Sequence, residues 1–356
     1  MSLPYLQPYF GLSNSLQTAQ AAAGGAVGGW VELARTTLGS AGDTISVSSL
    51  ADKRYYMVLN DTLPSGDVNG HQRLNNDSGS NYSWRFSANG AAEVTGTSAS
   101  VIFSDYDSST TPSFNLNYLA NVATKEKLST GWGVTQNTAG AGTAPQRVEF
   151  TGKWANTSDA VNRIDYVNVS SGDFDTGSEV VVLGWDPADT HTSNFWEELA
   201  SVDLSGGAAT SLSTGTFTAK KYLWVQYYVD TTTSAANIEM QVGNTTIDTG
   251  SNYARRASEN GGADGTATSD TKLNQIVAGG TTPIFANMFI VNNAANEKLA
   301  ICHSIDQNTA GAGTAPNREE DVGKWADTTN QIDIIQISAT AGNMGTNTIM
   351  KVYGSD

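Results

Sequence analysis

The chain contains the same segment twice, and this duplication constrains the fold more than any other feature. The decapeptide QNTAGAGTAP at 136–145 recurs unchanged at 307–316, and the gapless alignment of 125–158 with 296–329 has 20 identities in 34 positions. At the same offset, 79–92 matches 250–263 in 9 of 14 positions. The period is too long for a solenoid unit and suits one whole domain. We therefore expect two copies of a single domain.

Each copy carries a matching series of apolar or alternating segments, bounded by Gly, Asn, Asp and Ser, which predict β-strands. In the first copy they are 44–48, 54–60, 68–74, 81–87, 99–103, 113–121, 126–134, 161–169 and 178–184. In the second they are 208–213, 217–229, 236–242, 251–257, 272–277, 283–292, 297–305, 330–338 and 346–353. The run 55–59 is apolar throughout, which is typical of a strand buried between two sheets.

These patterns predict an all-β chain of two tandem jelly-roll-like β-sandwiches, although another Greek-key sandwich would have a similar pattern. We place the first sandwich at 30–187, a linker at 188–193 and the second sandwich at 194–356. Residues 1–29 form an extended N-terminal arm outside the repeat. Helix-forming composition occurs only at 12–23.

Charge and composition exclude several functional classes. The net charge is −16, and both halves are acidic, so nucleic-acid binding through phosphate neutralisation is not expected. The single cysteine permits neither an intramolecular disulfide nor a cysteine-based zinc site. There is no apolar run long enough for a transmembrane helix and no basic segment typical of a signal peptide. We expect synthesis in a cytoplasm where the protein stays or where particles assemble, with no membrane partner.

The N-terminal arm opens with an aromatic and proline cluster and continues into a glycine-rich stretch. Because aromatic side chains dominate interface hot spots, Tyr5, Tyr9 and Phe10 are the candidate anchors in a neighbouring subunit or a larger particle. The alternative is that the arm packs along its own domain.

The segments 135–160 and 306–331 are poor in apolar residues, and we expect each to be one long loop. Their identity in both copies indicates a shared constraint. One interpretation is a self-packed loop in which Arg147 and Arg318 bind backbone carbonyls while Trp154 and Trp325 cover one end of the sandwich. The other assigns these four residues to subunit or domain contacts.

Two tryptophans that the copies do not share, Trp84 and Trp132, form with Tyr82 the only candidate glycan site. Ordinary packing is the alternative explanation for all three. No cofactor is expected, although calcium remains open because of Asp105 and Asp107, Asp173 and Asp175, and 75–77. Short aspartate pairs are more often turn formers.

Catalysis finds little support in the sequence. His71, His191 and His303 have no metal-ligand spacing, and Cys302 and His303 are neighbours that point to opposite faces of a strand. The repeated glutamates Glu126 and Glu297 lie beside basic residues, as surface ion pairs do. We expect no enzymatic activity.

The phrases WVELARTTLGSAGDTISVSSLADKRYYMVL, RLNNDSGSNY, NEKLAICHSIDQNTAGAGTAPNREEDVGKWA and EVVVLGWD resemble structural proteins of tailed bacteriophages, especially marine ones. The resemblance covers both repeats and assigns no functional residue. It implies a virion-surface protein, either a capsid decoration protein or a tail or fibre appendage. Its expected partners are the major capsid or tail protein and further copies of the chain, with a trimer favoured.

Two alternatives stay open. One is a carbohydrate-binding adhesin that recognises a cell-surface glycan. The other is a double jelly-roll major capsid protein, in which two sandwiches per chain form a pseudo-hexameric trimer.

Overall fold

The computed structural model describes residues 26–27, 29–105, 111–187, 189–191, 193–277 and 281–356. Within these ranges the chain is all-β and has no helix, as the sequence predicts. The described part therefore contains no helix that is long and apolar enough to cross a membrane. The N-terminal arm up to residue 25, including the helix-forming composition at 12–23, lies outside the described residues.

The strands of the first half, with a short preceding strand, are β1 (Ala26–Val27), β2 (Val31–Thr37), β3 (Thr44–Ser48), β4 (Tyr55–Thr62), β5 (Gly70–Leu74), β6 (Tyr82–Ala88), β7 (Val94–Ala99), β8 (Ile102–Phe103), β9 (Ser113–Ala120), β10 (Lys127–Thr135), β11 (Gln146–Trp154), β12 (Arg163–Asn168) and β13 (Glu179–Trp185). The connecting strand β14 (Thr190–His191) pairs with β1.

The strands of the second half are β15 (Glu197–Asp203), β16 (Ser211–Ser213), β17 (Tyr222–Val229), β18 (Ile238–Asn244), β19 (Thr246–Ile247), β20 (Tyr253–Glu259), β21 (Gly265–Asp270), β22 (Asn274–Ile276), β23 (Ile284–Val291), β24 (Lys298–Asp306), β25 (Asn317–Trp325), β26 (Ile334–Ala339) and β27 (Ile349–Ser355).

Each half has one large and one small antiparallel sheet, and the strand order agrees between the halves. The large sheets run β2-β13-β4-β9-β10-β11-β6-β7 and β15-β27-β17-β23-β24-β25-β20-β21. The small sheets run β3-β12-β5-β8 and β16-β26-β18, with β22 pairing with β18 where β8 pairs with β5. Apart from the short β19, corresponding strands occupy corresponding places.

Three apolar cores hold four layers together. One core fills the space between the small and large sheets of the first half, and a second does the same in the second half. The third lies between the two large sheets, whose outer faces pack against each other. The layer order is therefore small sheet, large sheet, large sheet, small sheet.

The position of strand β4 between two cores explains why the run 55–59 is apolar without interruption. Tyr56 and Val58 point into the first sandwich, while Met57 and Leu59 point into the core between the halves. Successive side chains of a strand alternate between faces, so burial on both faces removes the usual polar positions. The prediction of a strand buried between sheets is confirmed here.

The prediction of one long loop at 135–160, and again at 306–331, is wrong. Strand β11 occupies the middle of the first segment and β25 the middle of the second, each pairing along its length with the preceding hairpin strand. Val148 and Phe150 alternate inward from β11, a period-2 pattern too short to stand out among polar neighbours. The remaining loop is the ten-residue connection at 136–145 or 307–316.

Candidate functional site

The interface between the two halves is the most elaborate contact surface among the described residues. Its centre is the third apolar core, to which the first half contributes Met57, Leu59, Phe114, Leu116, Val134, Val181 and Leu183, and the second half Phe195, Trp196, Tyr222, Phe289, Val291, Leu299, Ile301 and Val322. At its side the rings of Trp132 and His303 lie 4.6 Å apart. Burial lowers the pKa of His303 to about 4, so this imidazole is neutral at pH 7.

The repeated loop of the first half, 136–145, lies on the second half and is held through its backbone. Lys324 Nζ donates to the carbonyl of Gln136 at 3.1 Å and to that of Thr138. The carbonyl of Ala141 accepts from the backbone N–H of Ser269 at 2.7 Å, and that of Pro145 accepts from Arg256 Nε at 2.9 Å. Small side chains suit this role because they let the partner groups reach the backbone.

A buried ion pair on the second half anchors the loop. The side chains of Lys324 and Glu297 are essentially inaccessible, and their charged groups lie 3.5 Å apart. The Glu297 carboxylate also accepts the backbone N–H of Gly140. Burial lowers the pKa of Lys324, and the attraction of Glu297 opposes that shift. The ammonium group can be buried because carbonyl oxygens and a carboxylate surround it.

Arg147 forms the second polar anchor between the halves. Its guanidinium lies 2.7 Å from Asp264 and 3.1 Å from Glu320 of the second half, and it also contacts Glu149. Arg147 therefore binds carboxylates rather than the backbone carbonyls expected for a self-packed loop. Its counterpart Arg318 is exposed and pairs with Glu320 at 3.3 Å.

Trp154 and Trp325 do not lie at this interface, which corrects their assignment to subunit or domain contacts. Each is buried in its own sandwich, and its indole N–H donates to an aspartate: Asp77 at 2.7 Å for Trp154 and Asp248 at 2.8 Å for Trp325. A lysine ammonium lies over each ring, at 5.4 Å and 5.5 Å from the centroid. The identity of the two tryptophans reflects an internal packing constraint repeated in both halves.

The three candidate glycan-contacting rings are not brought together, so that site is also corrected. Tyr82 is buried, and its hydroxyl lies within hydrogen-bond distance of the carbonyls of Leu74 and Asp77. Trp84 faces the same interior, where its ring stacks on Phe103 at 4.9 Å. Trp132 packs against the core on the opposite face of the sheet. A single sugar ring cannot contact all three.

The aspartates considered for calcium have structural roles where they are described. Asp77 accepts hydrogen bonds from the Gly79 backbone and the Asn81 side chain, and Asp105 is buried against Ser113 and Tyr166. Asp107 lies outside the described residues, as do Tyr5, Tyr9 and Phe10. Over the described ranges no group of three or more metal-binding side chains is present.

The second sandwich contains two acidic side chains that the sequence analysis did not single out. Glu319 and Asp321 are buried on β25, where Asp321 accepts from Asn274 Nδ2 at 2.9 Å. Burial raises the pKa of Glu319 to about 7, and a hydrogen bond from the Val277 backbone opposes the shift. Burial also raises the pKa of the nearby Cys302 thiol well above its usual value, so this thiol has little nucleophilic character at pH 7.

The sequence analysis also missed most of the residues that seat the loop: Arg256, Asp264, Ser269 and Lys324. The available signal was the presence of matched charges inside the repeat, such as Lys324 within the repeated GKWA. Nothing in that pattern states which copy would bury them.

No family model matches the chain, and no curated protein matches it. Among solved structures it aligns with Ail, the attachment invasion locus protein of Yersinia pestis, at 7% identity and a TM-score of 0.11, over 81% of this chain and 99% of that one. It aligns with an outer membrane channel from Pseudomonas putida F1 at 14% identity and a TM-score of 0.11, over 82% of this chain and 97% of that one. Alignments with scores this low carry no argument about the fold or the function of this chain.

Proposed function

We propose that the chain is a non-enzymatic structural protein on the surface of a tailed-phage particle, acting as a capsid decoration protein or a tail or fibre appendage. Its two halves would be jelly rolls derived by duplication. The observation that carries the proposal is the strand order shared by the two halves. Jelly rolls are a common architecture of viral capsid proteins, and this part of the argument is an analogy of fold.

The strand order supports a jelly roll with one inserted hairpin. With β2 and β13 set aside as flanking strands and β10–β11 as the insertion, eight strands of the first half remain. Numbered one to eight along the chain, they form a small sheet of order 1-8-3-6 and a large sheet of order 2-7-4-5. These orders match those of a jelly roll and support the proposal, and the second half has the same orders apart from the additional β19.

The internal contacts support a structural role. The repeated loop, the buried Lys324–Glu297 pair and Arg147 all bind one half to the other. The segments that resemble phage structural proteins include Glu297, Lys324 and the identical second copy of the loop, 307–316. The chain thus uses its repeated polar groups to join sandwiches.

Purified particles of the phage that encodes the chain provide the test. Quantitative mass spectrometry after gradient purification should find the protein in stoichiometric amounts, and immunogold labelling should place it on the exterior. Hundreds of copies per particle would indicate decoration, and about a dozen an appendage. Absence from purified particles would refute the proposal.

A major capsid protein is the second candidate, because two jelly rolls in one chain also suit that role. Expression of this chain alone separates the two candidates. Closed shells visible by electron microscopy would favour the capsid role, whereas soluble protein that binds only to preformed particles would favour decoration.

A further inference from the structure

The interface between the halves is not symmetric. The loop 136–145 of the first half is seated on the second half, with Gln136, Ala144 and Pro145 buried. Among the described residues, none seats the identical loop of the second half, and 309–316 are exposed throughout. In the contact between the halves, the first half therefore contributes the surface that carries its loop, and the second half contributes the surface that receives that loop. Such a heterologous contact leaves one copy of each surface unoccupied by the part of the chain that the structure describes.

We call the surface around Leu128 and Lys153 of the first half the free groove. We call the surface formed by 307–316, Phe285 and Ile305 of the second half the free loop face. The free groove retains the groups that seat the loop elsewhere. Glu126, Lys153, Arg85, Glu93 and Ser98 correspond to Glu297, Lys324, Arg256, Asp264 and Ser269. Lys153 and Glu126 pair at 2.9 Å near the surface, whereas their counterparts are buried beneath the loop.

Exposed apolar side chains identify the same two surfaces. In the free groove, Leu128 is 57% exposed and Tyr55 is 38% exposed. Their counterparts Leu299 and Tyr222 are buried in the core between the halves.

On the free loop face, Phe285 and Ile305 are 43% and 45% exposed, whereas their counterparts Phe114 and Val134 are buried in that core. These two and the pair in the free groove make up four of the seven large apolar side chains that are exposed in the described ranges. The exposed apolar surface is thus concentrated where a second interface would form.

The free groove has room for an occupant. One depression of about 580 Å³ is lined by side chains that include Arg85, Leu128, Thr151 and Lys153. A second, of about 370 Å³ and mostly apolar, adjoins it at Leu128 and is lined by aromatic side chains, among them Trp30, Tyr55, Tyr118 and Trp185.

We infer that the free loop face of one molecule binds the free groove of a second copy of this chain, with 307–316 seated as 136–145 is seated within the molecule. Lys153 would then donate to carbonyls of the incoming loop, and Arg318 would pair with Glu93 and Glu149. After binding, the pair still presents one free groove, on one molecule, and one free loop face, on the other. Repetition gives a closed ring or an open filament, depending on the rotation between neighbours. The inference goes beyond the proposed function and does not depend on the location of the protein.

The interface between molecules is more polar than the one within the chain. Thr130 and Thr151 stand in the free groove where the second half has Ile301 and Val322. Asn287 stands on the free loop face where the first half has Leu116. The internal contact also benefits from the covalent connection, which supplies an effective concentration of order mM. We therefore expect a reversible association with a dissociation constant below about 1 mM, rather than a permanent oligomer.

Two variants with one damaged surface each provide the test. Leu128→Arg places a charge in the free groove, and Ile305→Asp places one on the free loop face. By sedimentation velocity, the unmodified full chain should form species larger than a dimer as its concentration rises. Each variant alone should remain monomeric where the unmodified chain associates. An equimolar mixture should give a dimer and nothing larger, because only one intact pair of surfaces remains.

Val169→Arg is the matched control, since Val169 is 52% exposed and lies after β12 of the small sheet, away from both surfaces. It should associate like the unmodified chain, and circular dichroism should show that all three variants are folded. Deletion of residues 1–25 should leave association unchanged. A monomer at every concentration up to 1 mM, variants that associate normally, a mixture that forms no dimer, or association lost with the arm would each overturn the inference.

Discussion

At the scale of single residues, the two copies differ most where an apolar side chain of one is replaced by an acid in the other. Val148 and Phe150 fill the first sandwich from β11, and the corresponding positions on β25 hold Glu319 and Asp321. Burying a carboxylate in an apolar interior favours its protonated form. The second sandwich thus contains carboxyl groups whose burial is favourable mainly in the protonated, neutral form.

Glu319→Gln should change how the stability of the protein depends on pH. The folded-state pKa of Glu319 is about 7, above its ordinary value of 4.5. Between these values the folded state binds the proton and the unfolded state does not, so stability falls as pH rises. The variant lacks this loss and should be about 3 kcal/mol more stable than the unmodified protein at pH 8, but equally stable at pH 4.

Urea unfolding from pH 4 to pH 8 measures this difference. Glu198→Gln is the control, because Glu198 is an exposed residue paired with Lys351 at 2.8 Å. Parallel stability curves for the Glu319 variant and the unmodified protein would contradict the assigned shift.

At the scale of elements, the predicted strands include most of the observed ones, and the same three positions are missed in each half. These strands are β2, β7 and β11, together with β15, β21 and β25, and the two-residue strands β1, β14 and β19 were missed as well. Strands β7 and β21 lie at sheet edges and consist largely of Thr, Ser, Ala and Gly, so neither shows apolar alternation. Edge strands need little apolar character because solvent covers part of their surface.

Strand β25 was missed for a different reason. Its sequence NREEDVGKW is mostly charged, yet it lies inside a sheet between β24 and β20. Tertiary pairing and the contact with the first half override its weak intrinsic strand pattern. Pattern reasoning cannot detect burial that another part of the chain provides.

Lys324→Met and Lys153→Met form a matched pair that tests the loop docking. Loss of Lys324 removes the donor to two loop carbonyls and leaves Glu297 buried without its cation, so we expect about 3 kcal/mol lower stability. Lys153 is near the surface, and its loss should change monomer stability by less than about 0.5 kcal/mol.

Chemical denaturation at low protein concentration, where no association occurs, measures both values. The double variant Lys324→Met with Glu297→Gln should recover part of the loss, because no unpaired charge remains. Equal effects of the two lysine variants would show that the loop is not held as described.

At the scale of the whole molecule, four layers share three cores, and the middle core belongs to both halves. The predicted linker at 188–193 contains the short strand β14, and strands β13 and β15 lie on either side of it. The sequence did not indicate that the sandwiches would face each other through their large sheets. Because that contact is extensive, we expect the halves not to behave as two independent domains joined by a linker.

Removal of residues 1–25 should separate folding from attachment. An arm that anchors the chain to a particle, rather than packing along its own domain, contributes little to folding, so the melting temperature should stay within about 2 °C of the full chain. Binding to particles that lack the protein should be lost if Tyr5, Tyr9 and Phe10 are the anchors. Calorimetry and co-sedimentation with such particles measure the two quantities.

The triple variant Tyr5→Ala, Tyr9→Ala and Phe10→Ala in the full chain is the companion to this deletion, since it keeps the length of the arm. Undiminished incorporation of either protein into particles would rule out the arm as the anchor.

The sequence alone determined that this is an all-β chain, that its segments recur at a nearly constant offset, and where most strands lie. Those properties follow from the local alternation of apolar and polar residues and from the repeat itself, which imposes the same backbone preferences twice. Only the tertiary structure decided which of two identical loops is seated and which is left exposed. Identical residues have identical propensities, so their burial can differ only through what the rest of the chain places against them.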